Sequence, residues 1–302
     1  VPGQYWGNGR EDELKSLNEN LPTSTSMTLT GGKIWGEVSE SFLSNLKNNL
    51  TAGGKTYRPV SLWINWPVTD NSKQHLILGG GEKFLHPNVD PSLLSGIMLN
   101  PMQQSEPSKI ALFAGAQYTW KQWKSEEEAK KLNDIAFNFV ENGHFEDSKV
   151  SAAFRELGKH MINQNMDGRV VKLEESVELA PKLTDFMTKL KAGQDVTAER
   201  ATLRAEFAKI KEAAELYKAS GDKKMVAQIH YWLDNAIDQM NALDAFLTGT
   251  EAMATNDAAK LWDSYYKGLK LYEQSQTHTF HYVDHMEKAE LGVQHIRPFI
   301  LS

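Results

Sequence analysis

Hydrophobic and polar positions alternate with two different rhythms along this chain, and the change comes near residue 124. Before it, short apolar runs separate helical stretches. Ser26–Thr30 reads as a short strand closed by Gly31-Gly32, and Val60–Ile64 reads as a buried strand. Leu94–Met102 is a further apolar run, with its strand placed at Ile97–Leu99 and its end marked by Asn100-Pro101. A polar helix at Asp12–Asn20 precedes the first strand, a helix at Val38–Leu50 with Phe42, Leu43 and Leu46 on one side lies between the first two, and a helix from Ser105, taken as its cap, to Trp120 follows the last. Strands alternating with helices predict a parallel α/β layer.

After Lys124 the period is 3.6 throughout. Ser125-x-x-Glu128 is a capping box, and Leu132, Ile135, Ala136, Phe139 and Val140 form a stripe stopped by Gly143. Further stripes run through Val150 to Met161, through Val177, Leu183, Phe186 and Leu190 around Pro181, and through Leu203 to Tyr217. The longest covers Met225 to Leu247, and the last takes in Leu261, Tyr265, Leu269 and Tyr272. Helices of this length with short polar joints predict an antiparallel bundle. The expected domains are therefore residues 1–123, α/β, and residues 124–302, all-α.

Three strands fall short of a closed eight-stranded barrel, which takes about 250 residues. Val1 reads as the last residue of one strand more. The expectation is the second half of a (β/α)8 barrel, with an N-terminal half outside this chain.

Composition narrows the function classes. The chain has 302 residues, 40% hydrophobic and 24% charged, which suits a packed soluble fold. The net charge of -6 argues against nucleic acid as a partner. Without cysteine there is no disulfide and no thiolate metal site. No apolar run is long enough to cross a membrane, and the compartment is left open. His278, His281 and His285 invite a metal reading, but no carboxylate set accompanies them at metal spacing, and a strand or turn with exposed imidazoles is favoured. Gly79-Gly80-Gly81 lacks the context of a phosphate loop and reads as a flexible turn.

The candidate chemistry sits at strand ends. Ser61 to Asp70 reads as a strand that stops at Asn65, since Pro67 opposes continuation as a central strand. Asn65 and Asp70 then lie just past the end, with Trp63 and Trp66 beside them. In parallel α/β folds ligands bind at the carboxyl ends of strands. A carboxylate, amides and indole faces suit a polyhydroxylated ligand. The competing reading is an ordinary capped strand with both tryptophans in the core.

The ordered series N-W-P-V-T-D, H-L-I-L-G, N-P-M, S-E-P-S-K-I-A-L and Q-Y-T-W, spanning Asn65 to Trp120, resembles glycoside hydrolase family 84. These are bacterial β-N-acetylglucosaminidases, often labelled hyaluronidases, and relatives of O-GlcNAcase. The resemblance implies a retaining exo-hydrolase of terminal β-linked GlcNAc on proteins or glycans, working by substrate-assisted catalysis through an oxazoline. It needs no cofactor. It implies that Tyr5, in Val1-Pro2-Gly3-Gln4-Tyr5, supports the transition state near the scissile bond. Trp63 becomes a wall of the sugar pocket, and Asn65 a brace of the catalytic centre. Asp70 and Asn100 become the residues that bind hydroxyls of the terminal sugar. The acid/base Asp pair of the family is expected upstream of residue 1, and no Asp-Asp pair occurs in this chain. This segment alone is then expected to be inactive, with the N-terminal half of the same enzyme as its partner. The alternative is a sugar-binding or scaffold protein that lacks the acids. Two departures bear on contacts beyond the first sugar: Gln117 stands where the family often has Asp in D-Y-x-W, and Asn165–Leu173 has no Trp.

Overall fold

The computed structural model describes residues 11–71, 73–162 and 173–302. Among these the chain forms two compact units. One takes in residues 11–71, 77–136 and Leu173; the other takes in 73–76, 137–162 and 174–302.

The first unit is built on a parallel sheet in the order β1 (Thr28–Leu29), β2 (Val60–Pro67), β3 (Leu94–Asn100). The apolar run predicts β2 well at its start. Val60, Leu62, Ile64 and Trp66 alternate along it and are each 0% exposed, so one face of the strand is a packed core. Ser61, Trp63 and Asn65 take the other face. The strand does not stop at Asn65. It continues to Pro67, which pairs with Asn100 across an irregularity between Ile64 and Pro67. That bulge relieves the ladder of the N–H that proline lacks, and the Trp66–Pro67 bond is cis.

Helices cover the core face. α1 (Glu11–Asn20) precedes β1, and α2 (Glu40–Thr51) is capped by Ser39, whose hydroxyl accepts from Phe42 N. It buries Leu43, Leu46 and Leu50. After β2 comes α3 (Gly81–Phe84), and after β3 comes α4 (Ser105–Trp120). The cap position of α4 is Gln104, and Ser105 is its first helical residue, so the helix starts one place earlier than the sequence suggests. Ser108 Oγ accepts from Met102 N instead, at 3.0 Å, tying the turn to the helix. Gly115 lets α4 approach β3 closely, since a Cβ there would come within 2.6 Å of Leu99. Trp123 and Tyr118 close the layer with ring centroids 4.7 Å apart. Gly79, Gly80 and Gly81 are buried and packed, not a flexible turn. Trp66 donates to Gly79 O at 2.9 Å, and a Cβ at Gly81 would meet its ring at 3.0 Å.

α5 (Glu126–Asn142) starts at the capping box, with Ser125 Oγ accepting from Glu128 N at 3.1 Å. Phe137, not Phe139, supplies its buried aromatic ring; Phe139 is 40% exposed and stacks on Phe145. The second unit continues with α6 (Lys149–Gly158), α7 (Ala180–Lys191), α8 (Thr197–Ser220), α9 (Lys223–Ala254) and α10 (Ala258–Ser275). Pro181 opens α7 rather than kinking it, which leaves Val177 outside the helix and exposed. α8 and α9 run antiparallel: Lys218 pairs with Asp234 at one end, and Arg200 binds Thr250 at the other. α9 and α10 do the same, from Asn235 with Ser275 to Gly249 against Leu261. The stripe of α10 is less covered than its period suggests. Tyr265 is 44% exposed, and Leu261, Leu269 and Tyr272 line an apolar cavity of about 500 Å³ with Leu243 and Phe246. A hairpin, β4 (Thr279–Tyr282) and β5 (His285–Lys288), and a last short helix, α11 (Ile296–Ile300), end the unit.

Candidate functional site

Three loops leave the carboxyl ends of β1, β2 and β3 on the same edge of the sheet, because all three strands are parallel. A hydrogen-bonded set joins them. Asn65 Oδ1 accepts from Trp63 Nε1 at 2.7 Å and from Asn100 Nδ2 at 3.0 Å. Asn65 Nδ2 donates to Ile34 O, in the loop after β1, at 2.6 Å. Trp63 and Asn65 meet because residues two apart on a strand share a face. Asn100 meets them because β3 ends beside the end of β2, where Asn100 pairs with Pro67 past the irregularity.

The polarity of this set is fixed by two groups with no choice. An indole N–H can only donate and a backbone carbonyl can only accept. They dictate which way round the Asn65 amide lies, and Asn65 in turn requires Asn100 to present its NH2. Both lone pairs of Asn65 Oδ1 are then used. Among the described residues, Asn100 Oδ1 and one N–H on each asparagine stay uncommitted, on side chains that are only partly buried in the case of Asn100 and Trp63. One uncommitted acceptor and two uncommitted donors beside a half-exposed indole can read hydroxyl groups on a ring.

Asp70 is exposed in the turn past β2 and is not a member of the hydrogen-bonded set. Tyr5 lies outside the described residues, as do the Val1–Tyr5 motif and all of Asn165–Leu173 except Leu173. Trp66 does not belong here. It is 0% exposed, on the opposite face of β2, and stacks on Phe84 at 5.9 Å. Gln117 and Trp120 lie on the last turn of α4, where Trp120 is 92% exposed.

Sequence reasoning misses Ile34, because its contribution is a backbone carbonyl. The available signal was the pair of glycines flanking it. A Cβ at Gly36 would sit 1.6 Å from Thr30 O, and one at Gly31, where φ is +79°, would sit 2.7 Å from Glu37 O. The loop is thus pinched shut, with Trp35 buried against Val68. It also misses Thr69 and Gln104, buried just past β2 and β3, whose Oγ1 and Oε1 have no hydrogen-bond partner among the described residues.

A strong electrostatic feature on the Ile34 loop is Glu37, which sits 3.2 Å from His86 Nε2 and 2.9 Å from Lys33 Nζ. The hydrogen bond from His86 holds the Glu37 carboxyl below its usual range, and the same bond raises the imidazole above its own. Among the described residues no group of three or more His, Asp or Glu side chains could hold a metal ion. His278 is engaged with Asp238 at 2.8 Å, His281 is on β4, and His285 lies between Asp284 and Glu287. No helix among the described residues is long and apolar enough to cross a membrane.

The family model for β-N-acetylglucosaminidase matches residues 1–159. The chain belongs to that family, glycoside hydrolase family 84. A second model, hyaluronidase post-catalytic domain-like, matches residues 178–279. Solved structures of family 84 carry the same fold. CpGH84D is 25% identical with a TM-score of 0.82, over 99% of this chain and 47% of that one. CpGH84B is 23% identical with a TM-score of 0.75, over 100% of this chain and 50% of that one. A mutant O-GlcNAc hydrolase from Thermobaculum terrenum is 19% identical with a TM-score of 0.73, over 95% of this chain and 56% of that one. The chain therefore spans about half the length of these family 84 structures. Its fold is a partial barrel followed by the helical domain.

Proposed function

We propose that this chain carries the sugar-binding rim of a retaining exo-β-N-acetylglucosaminidase that removes terminal β-linked GlcNAc from proteins or glycans. The observation that carries the reading is the Trp63–Asn65–Asn100 set at the carboxyl ends of parallel strands, in a chain of this family. Asp70 accepts from hydroxyls of the terminal sugar, and Asn100 reads a neighbouring hydroxyl through its uncommitted groups. An ionised carboxylate can take two hydroxyls at once, which favours an unsubstituted non-reducing end. Trp63 lies along the ring, and Asn65 braces the centre.

The chemistry is substrate-assisted, the exception to the scheme with two enzyme carboxylates flanking the bond. The 2-acetamido oxygen attacks the anomeric carbon as the glycosidic bond breaks, forming an oxazoline. One Asp holds the acetamido N–H. A second gives a proton to the leaving oxygen, then takes one from the water that opens the ring. Proximity drives the step, since an internal nucleophile has a high effective concentration. Tyr5 supports the developing charge. The two acids come from outside this chain, which has no Asp-Asp pair; the N-terminal half of the same enzyme supplies them.

The test is Asp70→Ala in the intact enzyme with an aryl N-acetylglucosaminide. Loss of charged hydrogen bonds to two hydroxyls should lower kcat/KM by about 100-fold or more. Turnover within about twofold of wild type would sink the reading. A second reading, which the same hydrogen-bonded set would serve, is a sugar-binding or scaffold protein without the acids. The two separate on the complete protein: binding of GlcNAc with no turnover favours the second.

A further inference from the structure

We propose that Glu37 is a positioning residue. Held by His86 and Lys33, it fixes the loop after β1 so that the Ile34 carbonyl stays on Asn65. The inference rests on reading Asn65 as part of the sugar site.

The loop from Thr30 to Glu37 leaves β1 and closes on itself. Its ends touch at Gly31 and Gly36, where no side chain fits. Trp35 anchors its middle in the core beside Val68. Ile34, 46% exposed, turns its carbonyl to Asn65 Nδ2 at 2.6 Å. The loop is tied down at its far end by Val38, which donates to Phe84 O at 2.7 Å and accepts from His86 N at 3.0 Å. Glu37 adds a side-chain tie at the same place. One carboxylate oxygen reaches Lys33 within the loop; the other reaches His86 beyond α3. His86 is itself backed by α4, because Tyr118 OH donates to its carbonyl at 2.8 Å. Glu37 thus links the loop to a segment fixed by the buried layer, and Asn65 feels that link through Ile34.

The link is sensitive to pH. The charged groups acting on His86 are Glu37 first and then Glu126; Glu126 is paired with Lys83 at 3.0 Å. Together with a backbone hydrogen bond involving Lys83 they raise the imidazole above its ordinary 6.5, against the opposing effect of burial. Glu37, held down by His86 and Lys33, stays ionised across the same range. The ion pair is therefore complete below the ordinary histidine value and is lost as pH rises through the raised one and His86 gives up its charge. Above that point Glu37 keeps Lys33, which is on its own loop, and the tie to His86 weakens. A residue that touches no ligand then sets an alkaline limb for the site.

The experiment uses the full chain with 15N-labelled asparagine and 13C-labelled histidine. The Asn65 side-chain amide signal, assigned by its loss in Asn65→Ser, is followed from about pH 6 to about pH 9. The expected result is a shift of that signal that tracks the His86 ring, with a midpoint above the ordinary histidine value. In Glu37→Gln and His86→Gln it should stay at its alkaline position throughout. GlcNAc should bind Glu37→Gln about two- to fivefold more weakly than wild type at the acid end, and equally at the alkaline end. A wild-type Asn65 signal that ignores His86, or a Glu37→Gln signal identical to wild type at the acid end, overturns the proposal. An Asn65 signal that follows His86 in a chain that binds no GlcNAc supports the brace, and it is then the sugar reading of the site that fails. Using two variants guards against one failing to fold.

Discussion

Asn100 donates to the side-chain oxygen of Asn65 at 3.0 Å, and that oxygen already takes the Trp63 indole hydrogen. Replacing Asn100 by Asp would set two acceptors against each other at that distance. The new carboxyl can restore the bond only when protonated. Asn100→Asp should therefore lose about 1–3 kcal/mol of site stability at neutral pH and regain part of it on acidification. GlcNAc titrations at several pH values read this directly, and an affinity independent of pH would contradict it.

Trp63→Phe keeps an aromatic wall but deletes the donor. Asn65 Oδ1 would keep one of its two bonds, and Ile34 O would still hold the amide. A loss of about 1 kcal/mol is expected, seen as a weaker GlcNAc complex with the melting temperature nearly unchanged. A variant with wild-type affinity would show that the indole N–H has no part in the site.

Gly36→Ala and Gly53→Ala separate steric from conformational cost. At Gly36 a methyl would overlap Thr30 O, whereas at Gly53, with φ of +81°, nothing lies within 4 Å. Gly53→Ala should cost about 1 kcal/mol for left-handed backbone. Gly36→Ala must open the loop and should cost several times more, measured by urea unfolding of the two variants side by side. Equal midpoints would show that the loop yields.

In the second unit Asn235 is 0% exposed and serves three elements. It donates to Ser275 O at the end of α10 and accepts from Gln239 Nε2 on its own helix and from Leu291 N in the segment after β5. Asn235→Ala takes this partner from Ser275 O and Leu291 N, while Gln239 Nε2 keeps its bond to Leu291 O at 3.2 Å. A loss of about 2–4 kcal/mol is expected from denaturant unfolding. A loss below about 1 kcal/mol would mean that the neighbours find other partners.

Glu156, 9% exposed, takes Lys159 at 3.0 Å and Lys209 at 2.9 Å. Burial pushes its carboxyl up, but the His160 ring 3.8 Å away and the bonds from Lys209 and Lys159 outweigh this and hold it well below the usual range. A depressed carboxyl contributes stability above its ordinary 4.5 and loses it as pH falls toward the depressed value. The melting temperature of wild type should thus fall more steeply between about pH 5 and about pH 3 than that of Glu156→Gln. Parallel curves would remove Glu156 from the acid limb.

The sequence made β2 legible because an unbroken apolar run needs a core on at least one side. It misled at Pro67, because a bulge can seat a proline that a regular ladder could not. Trp63, Asn65 and Asn100 stand out as residue types at strand ends, and the structure brings these three together. Ile34 was hidden because a carbonyl has the same chemistry whatever side chain it carries. The α10 stripe was read as core because its period is helical, yet periodicity reports that a face is apolar and not how fully a neighbour covers it. The helical period favours Phe139 over Phe137 for a similar reason. Both fall near the apolar side of α5, and only packing against Phe154 at 5.1 Å selects Phe137.

The parallel sheet has a consequence for how the chain reaches its native state. Partners on neighbouring strands, such as Ser61 and Ser95, are 34 residues apart in the chain. The long helices of the second unit meet across joints of a few residues at Gly221 and Asn256. Joining distant segments costs more chain entropy before any contact rewards it. Helix pairing is therefore expected to run ahead of sheet closure during refolding, with the far-ultraviolet helical signal recovering before Trp66 is buried. The Trp63–Asn65–Asn100 set, which exists only where three strand ends have met, would be the last part of the molecule to form and the first to be missing from a partly folded one.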